Sequence, residues 1–307
     1  MIFTVTLNPA IDKTIVLDKL LLGHVNRSIS TRDDIGGKGI NVAKVIKNLG
    51  YNVCALGFIG KENSDYIYRK LNKYGVCHDF IEVDGETRTN IKIVEREEGI
   101  FTDINQCGFS VDNLDLEKLI RKLKNRVNRE DVVVLSGSLP KGIESNVYKV
   151  IIEQLKQKDV KIILDAEGQA LRYGIEANPY LIKPNINELK TIVSCSENIE
   201  DIKESVEEFV NKGIIVAVSM GENGALLFSK EQSLYSKPLK VDVKSTVGAG
   251  DSMVAAFAIG VHENMPLEDT FRLAIASSTA KVTMEGSQAP DRKEILKYIE
   301  LVEIQRR

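Results

Sequence analysis

Residues 248–260 read Gly-Ala-Gly-Asp-Ser-Met-Val-Ala-Ala-Phe-Ala-Ile-Gly, a short glycine-rich turn that runs directly into an apolar helix. The first N–H groups of a helix lack intrahelical partners and carry partial positive charge, so this junction can hold an anion. The carboxylate of Asp251, on the first helical turn, would repel a bound phosphate unless it acted on a neighbouring group. We expect Asp251 to accept the proton of an attacking hydroxyl. The alternative is a helix cap, because Asp and Gly are common at helix starts.

Outward from this turn, apolar runs rich in β-branched residues alternate with helical stretches. The predicted strands are 2–7, 53–59, 131–135, 160–165 and 214–219, and the predicted helices lie near 38–49, 63–74, 115–128, 145–157 and 199–212. From about residue 250 the pattern predicts helices alone, at 250–262, 267–285 and 291–304. This alternation predicts an α/β fold, a doubly wound and mostly parallel sheet with helices on both faces. In such sheets ligands bind at the carboxyl ends of the strands.

Two segments interrupt the alternation. Residues 12–35 and 86–105 contain short β-prone pieces without a long helix between them, which predicts a small separate sheet. We expect this sheet to form a lid over the active site of a single domain covering 1–307. Two ordinary surface hairpins are the alternative.

Composition narrows the class of partner. The chain has 41 basic and 44 acidic residues and a net charge of −3, which gives no general attraction to nucleic acid or to acidic membranes. The longest apolar stretch, 253–259, is far shorter than the about 20 residues of a membrane span, and the N-terminus lacks the pattern of a signal peptide. We therefore expect a cytosolic protein with a small-molecule partner.

A second glycine-rich stretch, Gly36-Gly37-Lys38-Gly39-Ile40-Asn41, leads into the first predicted helix. Its glycines permit close approach of a ligand, Lys38 supplies a positive charge, and the Asn41 amide can bind sugar hydroxyls. Neither the nucleotide P-loop spacing nor the dinucleotide fingerprint is present. A purely structural helix start is the alternative.

The two glycine-rich stretches, with Thr246-Val247-Gly248-Ala249-Gly250-Asp251-Ser252 as the second, resemble the paired signatures of the ribokinase-like (PfkB-type) family of carbohydrate kinases. Segments 6–12, 136–140, 183–185 and 219–224 are also similar to that family, and the resemblance spans essentially the whole chain. It implies an ATP- and Mg²⁺-dependent kinase that phosphorylates the C6 hydroxyl of D-fructose 1-phosphate, giving fructose 1,6-bisphosphate. Phosphorylation of tagatose 6-phosphate is the nearest alternative, and a non-catalytic sugar-phosphate-binding regulator is a more distant one.

The same resemblance implies a role for each matching residue. Asp251 would be the general base, and the backbone N–H groups of Gly248, Ala249 and Gly250 would stabilise the transferred phosphoryl group. The residues expected to bind the sugar are Asp12, Gly36, Gly37 and Asn41, and those expected to bind its phosphate are Arg27, Lys38, Arg88 and Ser138. The residues expected to bind ATP are Lys183, Asn185, Glu188, Ser219, Gly221, Gly224, Thr246, Gly248 and Gly250, with Asn185 and Glu188 placing Mg²⁺ through water. The exposed strand edges of the lid would allow a homodimer.

Overall fold

Alternating strands and helices are observed along most of the chain. The computed structural model describes residues 1–97, 99–286 and 288–307. The strands are β1 Ile2–Thr6, β2 Ala10–Leu17, β3 Ser30–Gly36, β4 Val53–Gly60, β5 Cys77–His78, β6 Ile81–Val83, β7 Thr89–Glu95, β8 Ile100–Ile104, β9 Val132–Ser136, β10 Lys161–Asp165, β11 Leu181–Ile182, β12 Ile215–Ser219, β13 Ala225–Phe228, β14 Ser233–Ser236 and β15 Ile304–Arg306. The helices are α1 Lys38–Asn48, α2 Ser64–Tyr74, α3 Asn113–Arg126, α4 Val147–Leu155, α5 Gly168–Glu176, α6 Ile186–Lys190, α7 Ile199–Asn211, α8 Ala249–His262, α9 Leu267–Val282 and α10 Arg292–Ile299.

Most strands join one large twisted sheet. Its order is β15-β14-β13-β12-β11-β10-β9-β1-β4-β5, with β6 also paired to β4. The pairs from β5 to β12 are parallel, and those from β12 to β15 are antiparallel. Because β1 lies between β4 and β9, the strand order changes direction there, and such a switch point is where α/β sheets bind ligands. The predicted doubly wound α/β fold is confirmed.

Helices cover both faces of this sheet and form two hydrophobic cores. The core on one face contains the apolar side chains of α1, α8 and α9, and the other contains those of α3, α4, α5 and α7. Helix α8 is apolar on every side because α1, α9 and the sheet surround it, and its residues from Asp251 to Val261 are all buried. Its N-terminus is therefore held rigidly at the carboxyl edge of the central strands.

A second, four-stranded sheet has the order β3-β2-β7-β8. Only residues 7–9 separate β2 from β1, and β3 passes through Gly36 and Gly37 directly into α1. The small sheet is thus attached to the large one by these two short connections at the carboxyl end of β1 and by a third short one, residues 84–88, which joins β6 to β7. The separate small sheet in the predicted fold class is confirmed.

The C-terminal part differs from the prediction. The sequence pattern predicts helix over 291–304, but α10 ends at Ile299 and β15 follows. Residues Ile304, Gln305 and Arg306 pair antiparallel with β14, so tertiary pairing at the sheet edge determines their conformation. Among the described residues, no helix is long and apolar enough to cross a membrane.

Candidate active site

The N-terminus of α8 carries exposed hydrogen-bond donors. Gly248 caps the helix in the left-handed conformation (φ 78°), which a residue with a side chain adopts only with strain. The Ala249 N–H donates to the Thr246 carbonyl at 3.3 Å, whereas helix geometry leaves the N–H groups of Gly250 and Asp251 without intrahelical acceptors. The Lys183 ammonium lies beneath this turn, 3.3 Å from where a Cβ at position 250 would stand. These features together create a site for an anion.

The Asp251 carboxylate lies beside this anion site and is 7% exposed. Asn41 Nδ2 donates a hydrogen bond to its Oδ2 at 2.9 Å. Burial and repulsion from Asp165 raise the pKa of Asp251 to about 6. The Asn41 hydrogen bond and the charges of Lys38 and Lys183 act in the opposite direction and lower it. A carboxylate with this pKa is ionised at neutral pH and suited to accept a proton.

A buried carboxylate that sequence reasoning missed organises the cations of the site. Asp165, at the end of β10, is 1% exposed, and its Oδ1 lies 3.4 Å from both Lys38 Nζ and Lys183 Nζ. Burial opposes ionisation, but the two lysines hold the pKa of Asp165 below its usual value. The sequence feature that could have indicated Asp165 is its position at the carboxyl end of a predicted strand, where α/β sheets bind ligands.

Asn185 and Glu188 form a reciprocal cap at the start of α6. The Glu188 N–H donates to Asn185 Oδ1 at 2.8 Å, and the Asn185 N–H donates to Glu188 Oε2 at 2.9 Å. The other carboxylate oxygen, Oε1, lies 3.8 Å from Lys38 Nζ. The Asn-x-x-Glu pattern therefore caps α6, and the second carboxylate oxygen of Glu188 faces Lys38.

The carboxylates of Asp165 and Glu188 are candidate ligands for a magnesium ion. Among the described residues, no group of three or more His, Cys, Asp or Glu side chains is arranged to hold a metal directly. Asp165 Oδ2 is nevertheless buried without a hydrogen-bond partner, and Glu188 supplies a second carboxylate nearby. Mg²⁺ prefers oxygen ligands and keeps several waters, so this sparse set fits an ion held through water.

The expected sugar-binding residues gather where the small sheet joins the large one. Asp12 on β2 accepts a hydrogen bond from Asn90 Nδ2 at 3.1 Å on its Oδ1, and burial raises the pKa of Asp12. Its Oδ2 lies so close to Gly36 that any side chain there would overlap it. Gly37 caps α1, which brings Asn41 from the next turn toward Asp251.

Arg88 and Ser138 also lie together. One Arg88 nitrogen, Nη2, donates to the Asn8 carbonyl at 3.1 Å and to Ser138 Oγ at 3.3 Å. Arg27, by contrast, lies exposed in the loop between β2 and β3, with no hydrogen bond or ion pair to the other expected site residues in the described part of the chain. Lys38 contacts Asp165 and Glu188, so it lies on the side of Lys183.

The remaining expected ATP-binding residues line loops at the same edge of the sheet. Ser219 ends β12, where its N–H donates to the Pro184 carbonyl at 3.1 Å next to Asn185. Gly221 and Gly224 bound the short turn after it, closed by a 2.8 Å hydrogen bond from the Met220 N–H to the Gly224 carbonyl. Thr246 precedes the α8 turn.

Two further buried lysines near the site lie outside the sequence motifs. Lys44 on α1 donates to the Ile35 carbonyl at 2.8 Å, immediately before Gly36, and burial lowers its pKa to about 8. Lys281, near the end of α9, is 2% exposed and packs close to Gly248. Lysines of amphipathic helices are usually solvated, so only the three-dimensional packing distinguishes these two.

Comparison with known proteins shows the family to which the chain belongs. A family model described as pfkB family carbohydrate kinase matches residues 5–294. The chain belongs to the pfkB family of carbohydrate kinases. A 1-phosphofructokinase of Vibrio cholerae is 36% identical to this kinase over 296 residues, covering 96% of this chain and 93% of that protein.

Solved structures agree with this assignment. The phosphofructokinase-2 of Escherichia coli in complex with fructose-6-phosphate superimposes with a TM-score of 0.91 at 27% identity, covering 98% of both chains. A tetrameric inhibited form of the same enzyme has a TM-score of 0.90 at 27% identity, again with 98% of both chains covered. The protein is therefore an ATP-dependent sugar kinase, as the resemblance implied.

Proposed function

We propose that this kinase transfers the γ-phosphoryl group of ATP to the C6 hydroxyl of D-fructose 1-phosphate. The observation that carries the proposal is the buried Asp251 carboxylate beside the unpaired N–H groups of α8, with Asp12 and Arg88 where the small sheet joins the large one. The acceptor is chosen because the 36% identical relative named above is a 1-phosphofructokinase.

In the proposed reaction, the substrate O6 attacks the γ-phosphorus while its proton passes to Asp251. The bond from the γ-phosphorus to the β,γ-bridging oxygen breaks, and ADP leaves with that oxygen. The N–H groups of Gly248 and Gly250 and the ammonium groups of Lys38 and Lys183 stabilise the negative charge on the transferring group, whereas the Ala249 N–H already donates to the Thr246 carbonyl. Fixed donors of this kind reduce the barrier because they need no reorganisation during the reaction.

The sugar phosphate would be held at both ends. Asp12 and Asn41 would bind hydroxyls, with Gly36 and Gly37 allowing the sugar close to the backbone. Arg88 and Ser138 would bind the 1-phosphate, because a planar guanidinium matches phosphate oxygens. Arg27 would add a second cation only when the β2–β3 loop folds over the sugar, since it is exposed in this structure.

On the nucleotide side we propose the turn at Ser219, Gly221 and Gly224, together with Thr246, for ATP. Glu188, Asn185 and Asp165 would hold Mg²⁺ through water. When bound, the ion neutralises phosphate charge during transfer. Because the reaction consumes ATP, the cytosol is the compartment that we propose.

A coupled assay for ADP release tests the acceptor. Fructose 1-phosphate, tagatose 6-phosphate and fructose 6-phosphate are compared at equal concentrations, and we expect the highest kcat/KM with fructose 1-phosphate. A higher value with either other sugar would reassign the acceptor within the family. ADP release with none of the three would reject phosphosugar kinase activity and favour the non-catalytic regulator.

We also propose that the small sheet is a lid and that two copies of the chain pair through it. Arg32 on β3 lies against Gly286, in the loop after α9, so the small sheet already reaches the opposite wall of the site. Its edge strand β8 carries the exposed apolar side chains Ile100 and Ile104 on one face and Phe101 on the other. A free edge strand with exposed apolar side chains is typical of a strand that pairs with another chain.

A further inference from the structure

The mechanism proposed above assigns no role to Lys44 or Lys281, the two further buried lysines near the site. Lys281 is the penultimate residue of α9, and only 2% of it is exposed. Lysines are almost never buried to this extent unless they are paired, because desolvating an ammonium group is costly. A buried lysine beside an active site therefore requires an explanation.

The contacts of Lys281 connect two loops. Its Nζ donates a hydrogen bond to the Gly286 carbonyl at 2.7 Å, and Arg32 of the small sheet lies against the same glycine. On its other side, the Cε of Lys281 would lie 3.2 Å from a Cβ at Gly248. The side chain thus fills the space between the loop after α9 and the turn that begins α8.

The backbone reinforces the same connection. The N–H groups of Lys244 and Ser245 both donate to the Val282 carbonyl, at 2.8 and 3.2 Å. The segment that leads into the 248–250 turn is therefore fixed to the residue immediately after Lys281. A displacement of the backbone at Lys281 would therefore move the segment that leads to Gly248.

The charge of Lys281 also acts on Asp251, although its ammonium group points to the Gly286 carbonyl. Asp251 attracts the ammonium group, and this attraction opposes the lowering of the Lys281 pKa by burial. A positive charge behind the anion-binding turn adds to the field that the turn presents to a phosphoryl group. It does so without contacting the ligand, because Gly248 lies between.

We propose that Lys281 is a positioning residue, an internal cation that holds the Gly248 turn against the loop after α9 and strengthens its field for the transferring phosphoryl group. This inference rests on the proposed phosphoryl transfer but not on the identity of the sugar. It assigns to one side chain both the shape and part of the charge of the anion site.

Two variants separate charge from packing. Lys281→Met retains an unbranched side chain of similar volume without charge, whereas Lys281→Ala leaves a cavity that methylammonium can enter. Both are assayed with ATP and whichever phosphosugar the wild type uses best, with methylammonium chloride or tetramethylammonium chloride added. The second salt matches ionic strength, but its cation is too large for the cavity.

We expect both variants to lose kcat by ~10- to 100-fold, with KM for the sugar phosphate changed by less than about threefold. Methylammonium should restore part of the kcat of Lys281→Ala but not of Lys281→Met, whose side chain occupies the space. Wild-type kcat in Lys281→Met, or no recovery of Lys281→Ala with methylammonium, would overturn the inference.

If Lys281→Ala does not fold, Lys281→Met alone tests the inference. Its kcat should fall while its KM for the sugar phosphate stays nearly unchanged. A wild-type enzyme inactive with all three sugars would reject the proposed function instead, so the two failures are distinguishable.

Discussion

At the scale of single residues, the proposed chemistry centres on Asp251 and its neighbours. Asn41 reaches it from α1, Lys183 lies under the adjoining turn, and Asp165 sets the surrounding charge. The sequence could indicate Asp251 and Asn41 because each belongs to a glycine-rich stretch. It could not indicate Asp165, which stands in no motif and matters only because the fold brings Lys38 and Lys183 to it.

Asp251→Asn removes the proton acceptor while preserving shape, and we expect it to lower kcat by ~10²- to 10⁴-fold. Steady-state kinetics with saturating ATP and fructose 1-phosphate measure this loss. Asp242→Asn, at an exposed position in the preceding loop, is the matched control and should leave kcat unchanged. Full activity in Asp251→Asn would remove this residue from the role of base.

The pH profile of kcat/KM should show an acid limb near pH 6. The base acts only when ionised, and the pKa of Asp251 is raised to about 6, so activity falls as the pH decreases through that value. Profiles measured between pH 5 and 8 for the free enzyme check the prediction. An enzyme still fully active at pH 5 would contradict it.

Two variants should shift this limb in opposite directions. Asn41→Leu removes a hydrogen bond that lowers the pKa of Asp251, so its limb should move to higher pH. Asp165→Asn removes a negative charge that raises the same pKa, so its limb should move to lower pH. Shifts of the same sign in both variants would show that another group controls the profile.

At the scale of secondary-structure elements, the connections around β1 shape the site that we propose for the sugar. The strand β3, Gly36, Gly37 and α1 form one continuous unit, and Asp12 on β2 packs against its turn. The hydrophobic periodicity placed most helices and central strands within a few residues of their observed bounds. It missed β5, β6, β13, β14, α5 and β15, because strands of two to four residues and a nine-residue helix depend on tertiary contacts more than on pattern.

Gly36→Ala tests the close packing of this unit. The new methyl group would overlap the Asp12 carboxylate, so either the turn or Asp12 must move. We expect KM for the sugar phosphate to rise by ~10- to 100-fold, with a much smaller change in KM for ATP.

Gly23→Ala is the control for this substitution. Unlike Gly36, Gly23 lies at positive φ, in the loop between β2 and β3, and it has open space around it. It should cost about 1 kcal/mol of unfolding free energy and leave both KM values unchanged. Equal kinetic effects of the two substitutions would contradict a specific role for Gly36.

At the scale of the whole molecule, the proposed pairing through the small sheet makes a prediction about assembly. Sedimentation velocity should find a dimer of the wild type at micromolar concentration and a monomer of Phe101→Glu, because a charge within an apolar interface must be desolvated. Leu114→Glu places the same charge at an equally exposed apolar residue on α3 and should remain dimeric. A monomeric wild type, or equal behaviour of the two variants, would reject pairing through the small sheet.

The two short connections of the small sheet at the carboxyl end of β1 have a mechanical consequence. Residues 7–9 lead into it and Gly36 with Gly37 leads out, and groups expected to grip the sugar flank both passages. If the small sheet acts as the proposed lid, a ligand that draws Asp12 and Arg88 inward would swing the four-stranded platform with them. Recognition and shielding from water would then become a single event, and altered acceptor preference should also change how quickly the product escapes.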